Sequence, residues 1–315
     1  MSYTSLLPHF NAPKRSVLTL HINPDPDSIG SNLAMAQILK KLGHSVTIYS
    51  QSPVPDEFNF LPGATDIHIL PAAEIPWHDC DIFWALDMAD ADRMGETEIP
   101  SDLTILTIDH HSSNIGWGTI NITESTQPST SSILLHIFKE CCFDVDPQTA
   151  QCLLTGICGD TGFFHYAMSA EVNEDAAYLM KCGAQYDQIT ENLLHRIPLE
   201  DLIFMGTALQ RAKYYKEKSC VIIDVPYDIW KAHGESVLKR VLLVHYLSQI
   251  KDTDFGVVLS EEAPGKIRVS LRSHGDAYDV GALAQRLGGG GHIRAAGSKL
   301  EMSLDEALKT VLDAA

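Results

Sequence analysis

A chain of 315 residues with a formal charge of −18 and a mean hydropathy of −0.03 is long enough for two ordinary cores, at roughly 150 residues per domain. Its 45% hydrophobic and 20% charged residues give a globular composition rather than a disordered or membrane one, and no apolar run reaches the length of a bilayer span. The acidic balance excludes a partner held mainly by phosphate contacts along a long duplex, which needs a basic footprint. A short anionic substrate, held locally or through metals, remains allowed.

Seven cysteines with no CxxC pair supply neither a disulfide framework nor a thiolate zinc site. The opening MSYTSLLPHFNAPKR lacks the basic-then-apolar order of a secretory signal. A soluble, cytoplasmic protein with no membrane partner is expected.

In chain order, residues 17–22 read as a buried strand. Residues 28–42 read as a helix with Ile29, Leu33, Ala36 and Leu39 at apolar spacing and Gly43 as its stop. SVTIYS at 45–50, DIFWALD at 81–87 and LTILTID at 103–109 read as further strands. This β–α–β rhythm with near-continuous apolar strands predicts a mostly parallel sheet covered on both faces. Ligands gather at the carboxyl ends of the strands in such sheets.

From 129 to 213 the signal turns helical, and Pro147 sits where a first helical turn tolerates proline. Strand patterns return with SCVIIDV, DFGVVLSEE and GKIRVSLRS, interleaved with helices near 235–249 and 279–287. The expected fold class is α/β: an N-terminal domain over 1–186 with a mostly parallel sheet flanked by helices, a helical linker over 187–213, and a smaller C-terminal α/β domain over 214–315.

Three strand-like segments end in acids or histidines. His21 is followed by Asp25 and Asp27 in HINPDPDSIGS, Asp87 ends ALD, and Asp109, His110 and His111 end IDHH. Asp160, in GICGDTG, closes a helix. Proline holds its preceding residue extended and fixes its own φ, so Asp25 and Asp27 project to the same side of a stiffened loop, where His21 can join them. Each residue alone has a plainer explanation: Asp27 or Ser28 as a helix cap, Asp87 as a turn residue, the histidines as a packed pair. Their coincidence at successive strand ends favours a metal cluster.

Carboxylates that converge so closely repel unless cations neutralise them. Mixed carboxylate and imidazole donors without thiolate suit manganese, magnesium, cobalt or iron better than structural zinc. Two such ions about 3.5–4 Å apart activate a water and stabilise the leaving oxygen of an in-line displacement at phosphorus.

The segments HINPDPDSIGS, ALDMAD, IDHHSS and GICGDTG resemble the first four motifs of the DHH phosphoesterase superfamily, and GGGGHIRAAG resembles the glycine-rich motif of its associated C-terminal domain. Within it, the nearest likeness is to the NrnA-like subfamily of bifunctional oligoribonucleases and 3′-phosphoadenosine-5′-phosphate (PAP) phosphatases. The resemblance implies one ion on His21, Asp25 and Asp87, and a second on Asp27, Asp87, His110 and Asp160, with manganese the expected metal. It also implies that Asp109 orients a histidine and that His111 meets the scissile phosphate or the leaving group.

In the second domain the resemblance makes Arg272 a substrate-binding arginine and Gly289, Gly290, Gly291 and His292 a phosphate loop. Glycine backbone amides can cradle an anion and an arginine offers a bidentate fork. Two departures from the family pattern stand beside these residues: Ile293 where proline is common, and Ser273-His274 where serine-arginine is frequent. Ser129, Thr130, Ser131 and Ser132 resemble a polar helix start near the site, for which N-capping is a sufficient explanation. Phe163, Phe164 and Tyr166 could stack a base, although core packing is the plainer reading.

The expected protein is a two-metal phosphodiesterase that cleaves short oligoribonucleotides and linear dinucleotides to 5′-mononucleotides and converts PAP to AMP, gripping substrate in an interdomain cleft. A homodimer is allowed. The rival readings are a stand-alone cyclic di-AMP phosphodiesterase, a manganese-type inorganic pyrophosphatase and a non-catalytic nucleotide-sensing module.

Overall fold

The computed structural model describes residues 3–165, 169–195, 199–232, 243–244, 246–247, 249–275 and 277–315. Tyr166 and most of the helix expected near 235–249 lie outside the described residues. The chain divides into two compact units, Met1–Arg196 and Ile197–Ala315. No helix among the described residues is long and apolar enough to cross a membrane.

The first unit opens with α1 (Leu7–Asn11), β1 (Arg15–Thr19), α2 (Pro26–Lys41), β2 (Ser45–Ser50) and β3 (His68–Ile69). It continues through β4 (Ile82–Leu86), β5 (Thr104–Asp109), β6 (Ile120–Thr123), α3 (Thr130–Glu140), α4 (Pro147–Asp160), α5 (Ala170–Lys181) and α6 (Tyr186–Thr190). The strands form one sheet in the order β3-β2-β1-β4-β5-β6, with every pair parallel. All five residues of β4 are buried, which is why that segment reads as an unbroken apolar run.

One sheet face places Leu18, Trp84 and Leu106 against helix residues such as Ile29, Ile133 and Leu153. The other face packs Val17, Phe83 and Ala85 on Trp77, Met88, Met94 and Leu103. That cover comes from short 3-10 turns and loops rather than from long helices. Burying side chains such as Trp84 and Phe83, both 0% exposed, stabilises the unit by about 1.5–3 kcal/mol each.

The chain order reverses direction in the sheet between β1 and β4, since β2 and β3 lie to one side of β1 and β4 to β6 to the other. This is the position at which open parallel sheets form a crevice at their carboxyl edge. The loops leaving β1, β4 and β5 there carry His21, Asp87 and His110.

The second unit contains α7 (Leu199–Leu209), β7 (Lys213–Tyr215), β8 (Cys220–Val225), α8 (Tyr227–Ala232), β9 (Phe255–Ala263) and β10 (Lys266–Ser273). α9 (Val280–Arg286), β11 (Gly290–Gly291), β12 (Ala295–Glu301) and α10 (Leu304–Ala314) follow. Its sheet runs β11-β12-β10-β9-β8-β7 and is antiparallel except for the β8–β9 pair. α9 and α10 pack on one face through residues such as Leu283 and Val311, and α7 and α8 on the other through Phe204 and Trp230. The 187–213 stretch is thereby shared: α6 buries Ile189 in the first unit, while α7 is part of the second unit's core.

Candidate metal centre

Asp25 caps α2, accepting from the backbone N–H groups of Asp27 (3.1 Å) and Ser28 (2.9 Å), with Pro26 in the first turn. Neither Asp27 nor Ser28 is the cap. Asp27 instead lies inside the first turn, 0% exposed, and reaches across to α3. There its Oδ2 accepts from Thr130 N–H at 2.7 Å and its Oδ1 from Ser131 N–H at 3.0 Å. Two otherwise unpaired amides of a helix N-terminus thus hold one carboxylate.

His21 lies just beyond β1. Its Nδ1 is 3.1 Å from the Ile22 carbonyl, and its Nε2 faces Asp25 Oδ2 at 3.4 Å and Asp87 Oδ2 at 3.6 Å, so that loss of the Nε2 proton would offer a lone pair to a cation between them. That buried Nε2 has no hydrogen-bond partner among the described residues.

Asp87 leaves β4 with φ of +57°, a left-handed conformation that aspartate tolerates better than most side chains. Its Oδ1 accepts from Thr130 Oγ1 at 3.2 Å and lies 3.6 Å from His110 Nε2. His110 Nε2 is also 3.1 Å from Asp160 Oδ2, at the end of α4.

Three groups therefore share Asp87: His21, Asp25 and Asp87; Asp27, Asp87, His110 and Asp160; and Asp87, His110 and His111. Within each, one donor atom per residue lies within 4.8 Å of the others. The unpartnered Nε2, the converging carboxylates and the absence of thiolate from these groups fit a pair of hard or borderline divalent cations.

Electrostatics report the crowding. Burial, then the charges of Asp87 and Asp160, push the Asp27 carboxyl well above its ordinary value. Burial with Asp25 and Asp87 nearby raises Asp160 to about 6 against the pull of His110. Burial opposes charge on His21, but Asp25 and Asp87 outweigh it and raise the imidazole to about 10. His110 is raised to about 10 in the same way, chiefly by Asp160. For Asp25, burial is outweighed by His21 and the Ser28 amide, and its carboxyl falls well below the usual range.

Asp109 stands behind the cluster, fully buried. Its Oδ1 is 2.7 Å from His111 Nδ1 and accepts the His111 backbone N–H at 3.2 Å, while its Oδ2 accepts from Asn114 Nδ2 at 2.8 Å. Asp109 thus fixes the ring of His111, whose Nδ1 lies 3.7 Å from Asp87 Oδ1.

Sequence reasoning did not single out Asn114, and it credited the polar start of α3 with capping alone. Ser129 does cap, accepting from Ser132 N–H at 3.0 Å, yet the next two residues hold Asp27. The one trace was the run of four small polar residues, longer than a cap needs. Gly156 was missed as well: a Cβ there would meet Ser131 Oγ at 2.0 Å and Asp27 Oδ1 at 2.6 Å, so only glycine lets α4 lie against this pair. Phe163 and Phe164 pack against the unit's core.

In the second unit, Arg272 on β10 is pushed below the usual guanidinium value by burial and donates from Nη1 to the Leu271 carbonyl at 2.9 Å. It is paired in register with Ala295 on β12. Ser273 N–H donates to the Arg294 carbonyl at 3.0 Å, which brings the turn after the glycine run beside Arg272. Within that run, Gly291 has φ of +141° and its Cβ would lie 2.5 Å from Ala296 Cα, whereas Gly290 has open space at that position. Packing on β12 thus explains Gly291, and Gly290 has room for a ligand. His292 N–H donates to the Ala295 carbonyl at 2.7 Å, closing the turn.

The family profile of the DHH family, N-terminal domain, matches residues 15–157, and that of the DHHA1 domain matches residues 237–315. The chain carries a DHH-family N-terminal domain followed by a DHHA1 domain. The bifunctional oligoribonuclease and PAP phosphatase NrnA of Thermus thermophilus is 29% identical over 94% of this chain and 88% of its own length. An exopolyphosphatase-related protein from Bacteroides fragilis superposes with a TM-score of 0.91 at 26% identity, covering 99% of this chain and 94% of that one. RecJ of Thermus thermophilus, solved with Mn2+, shares the fold at a TM-score of 0.57 and 12% identity, over 99% of this chain and 54% of RecJ. The two domains and these relatives point to a hydrolytic, metal-dependent enzyme, and the Asp/His cluster of the first unit is where divalent ions are to be sought.

Proposed function

We propose that this protein hydrolyses short oligoribonucleotides and linear dinucleotides to 5′-mononucleotides and converts PAP to AMP, using two manganese ions. The observation that carries the reading is Asp87, whose two oxygens belong to two different ligand groups. One ion would sit on His21, Asp25 and Asp87, the other on Asp27, Asp87, His110 and Asp160. Likeness to NrnA over nearly the whole chain supports the substrates, and Mn2+ in a RecJ of the same fold supports the metal.

When bound, the ions supply an activated water and neutralise charge on the phosphate. The chain's own groups do the rest. Asp87 would be a ligand to both ions, and Thr130 Oγ1 holds Asp87 in place. Asp27 is prevented from rotating by two amides. Asp109 keeps one nitrogen of His111 occupied, so that the other is presented to the scissile phosphate or the leaving oxygen. In the second unit, Arg272 and the loop Gly289–Gly291 with His292 bind the substrate's remaining phosphate.

The test is product formation from linear diadenylate, PAP and pyrophosphate, side by side, with manganese and with EDTA. AMP released from the first two only with metal is the expected result. Turnover of pyrophosphate alone would overturn the substrate assignment, and saturable binding without any turnover would favour a sensing module.

A further inference from the structure

Strand β10 alternates cleanly. Ile267, Val269 and Leu271 enter the core formed with α9 and α10, so Lys266, Arg268, Ser270 and Arg272 share the opposite face. On β12 the residues paired with them are Glu301, Lys299, Gly297 and Ala295. α7 and α8 cover this same side of the sheet over β8 and β9, through Val221 and Val258. Over β10 and β12 the side chains of that face remain half-buried or exposed.

Four of the chain's 23 lysines and arginines therefore stand on one small face of a protein carrying a charge of −18. Arg268 and Lys299 are directly opposed in the register, and like charges so placed cost stability. Two acids moderate the patch: Glu262 accepts from Arg268 Nε at 3.0 Å, and Glu301 is opposite Lys266. Both terminal guanidinium nitrogens of Arg268 still carry donors beyond that bond. Gly297 and Ala295 keep the floor between the cations low. Alternate strand positions are roughly 6.6 Å apart, so the row from Arg272 to Lys266 extends for about 20 Å.

We propose that this face of β10 is a phosphate track, which continues from Arg272 through Arg268 and Lys299 to Lys266 and holds the backbone of a single-stranded oligoribonucleotide beyond its first phosphate. The proposal rests on the function given above and deepens it: the track distinguishes chains of several nucleotides from dinucleotides and PAP. No base is read, because the face offers cations and a serine rather than an aromatic platform.

The test uses the full chain with manganese and a hydrolysis-resistant phosphorothioate pentaadenylate, with binding followed by fluorescence anisotropy across a salt series. Lys266→Gln and Lys299→Gln, both at exposed positions, and Arg268→Gln are compared with wild type. Each substitution is expected to weaken pentaadenylate binding several-fold and to flatten the log–log salt slope by about 0.7, the single-strand value per phosphate contact. The same substitutions are expected to raise the KM for pentaadenylate relative to that for diadenylate. Pentaadenylate binding and salt slopes equal to wild type would overturn the track while AMP release from diadenylate upholds the function. Track-dependent binding without turnover of either substrate would uphold the track and overturn the function.

Discussion

The carboxylate of Asp27 is hydrogen-bonded to the backbone N–H of Thr130 at 2.7 Å, although 103 positions separate the two in sequence. Because Thr130 also donates its hydroxyl to Asp87, the first residue of α3 holds two of the proposed ligands of one ion. Thr130→Val keeps the backbone bond and removes the hydroxyl. It is expected to lower metal affinity or kcat by about 10–100-fold, the usual cost of losing a group that orients a ligand. Thr130→Ser should restore most of the loss, and kcat with metal titration on both variants checks this.

Asp87 belongs to both proposed ligand groups, so its removal should act on both ions at once. Asp87→Asn suits the left-handed backbone, which asparagine also tolerates, and separates chemistry from folding. A fall in kcat of about 10³-fold or more is expected, together with fewer bound manganese ions per chain by elemental analysis. A variant that keeps wild-type turnover would refute the shared-ligand assignment.

Asp109→Asn retains the shape but not the charge that anchors His111. We expect kcat to fall about 10–100-fold with metal content unchanged, because Asp109 belongs to none of the groups that share Asp87. Elemental analysis beside steady-state rates separates this role from direct ligation.

Without metal, His21 and His110 hold protons up to about pH 10 and Asp160 up to about 6. Coordination needs the deprotonated forms. Manganese binding at pH 7 is therefore expected to release protons, seen by calorimetry as a binding enthalpy that varies with the buffer's ionisation enthalpy. The rise in Tm on adding manganese should be larger at pH 7.5 than at pH 5.5, since the cation competes with fewer protons at the higher pH. A buffer-independent enthalpy would speak against these ligands.

Away from the centre, His136 Nε2 lies 2.7 Å from Asp175 Oδ2, and Lys139 Nζ donates to Asp175 Oδ1 at 2.8 Å, tying α3 to α5. The Asp175 hydrogen bond, against the effect of burial, raises His136 above its ordinary 6.5. A raised histidine means that the folded state binds the proton more tightly. The contribution is then complete below about pH 6.5 and fades as pH climbs through the folded value. Asp175, held low by His136 and Lys139 despite burial, stays charged through mild acid. His136→Gln is expected to cost about 1 kcal/mol, or ~2–4 °C in Tm, at pH 6, with a smaller difference from wild type at pH 9.

The strands that carry the centre were legible because each is an apolar run ending in a polar residue, and parallel pairing buries both faces of such runs. β2 has the predicted bounds, β5 starts one residue later than predicted, β4 is a residue shorter at each end, and β1 (Arg15–Thr19) lies two to three residues before the predicted 17–22. The four motifs that meet at Asp87 stood out by residue type. Less legible were features set by the partner element. The two-residue strands β3 and β11 have no period to detect, and the 3-10 cover of the second sheet face has no helical pattern. Asp25 was passed over as the cap of α2 because Pro26 delays any visible helical signal. The binding of Asp27 by α3 depends on how two distant segments pack, and no local spacing encodes that.

Chain order also separates the two proposed ligand groups in the making of the protein. His21, Asp25 and Asp87 are all synthesised before β5, whereas the second group must wait for His110 and then for Asp160, the last residue of α4. A chain that ended short of α4 would contain all three residues of the first proposed group but would lack Asp160 of the second. On the proposed assignment, a complete pair of ion sites therefore requires the first unit through the last residue of α4.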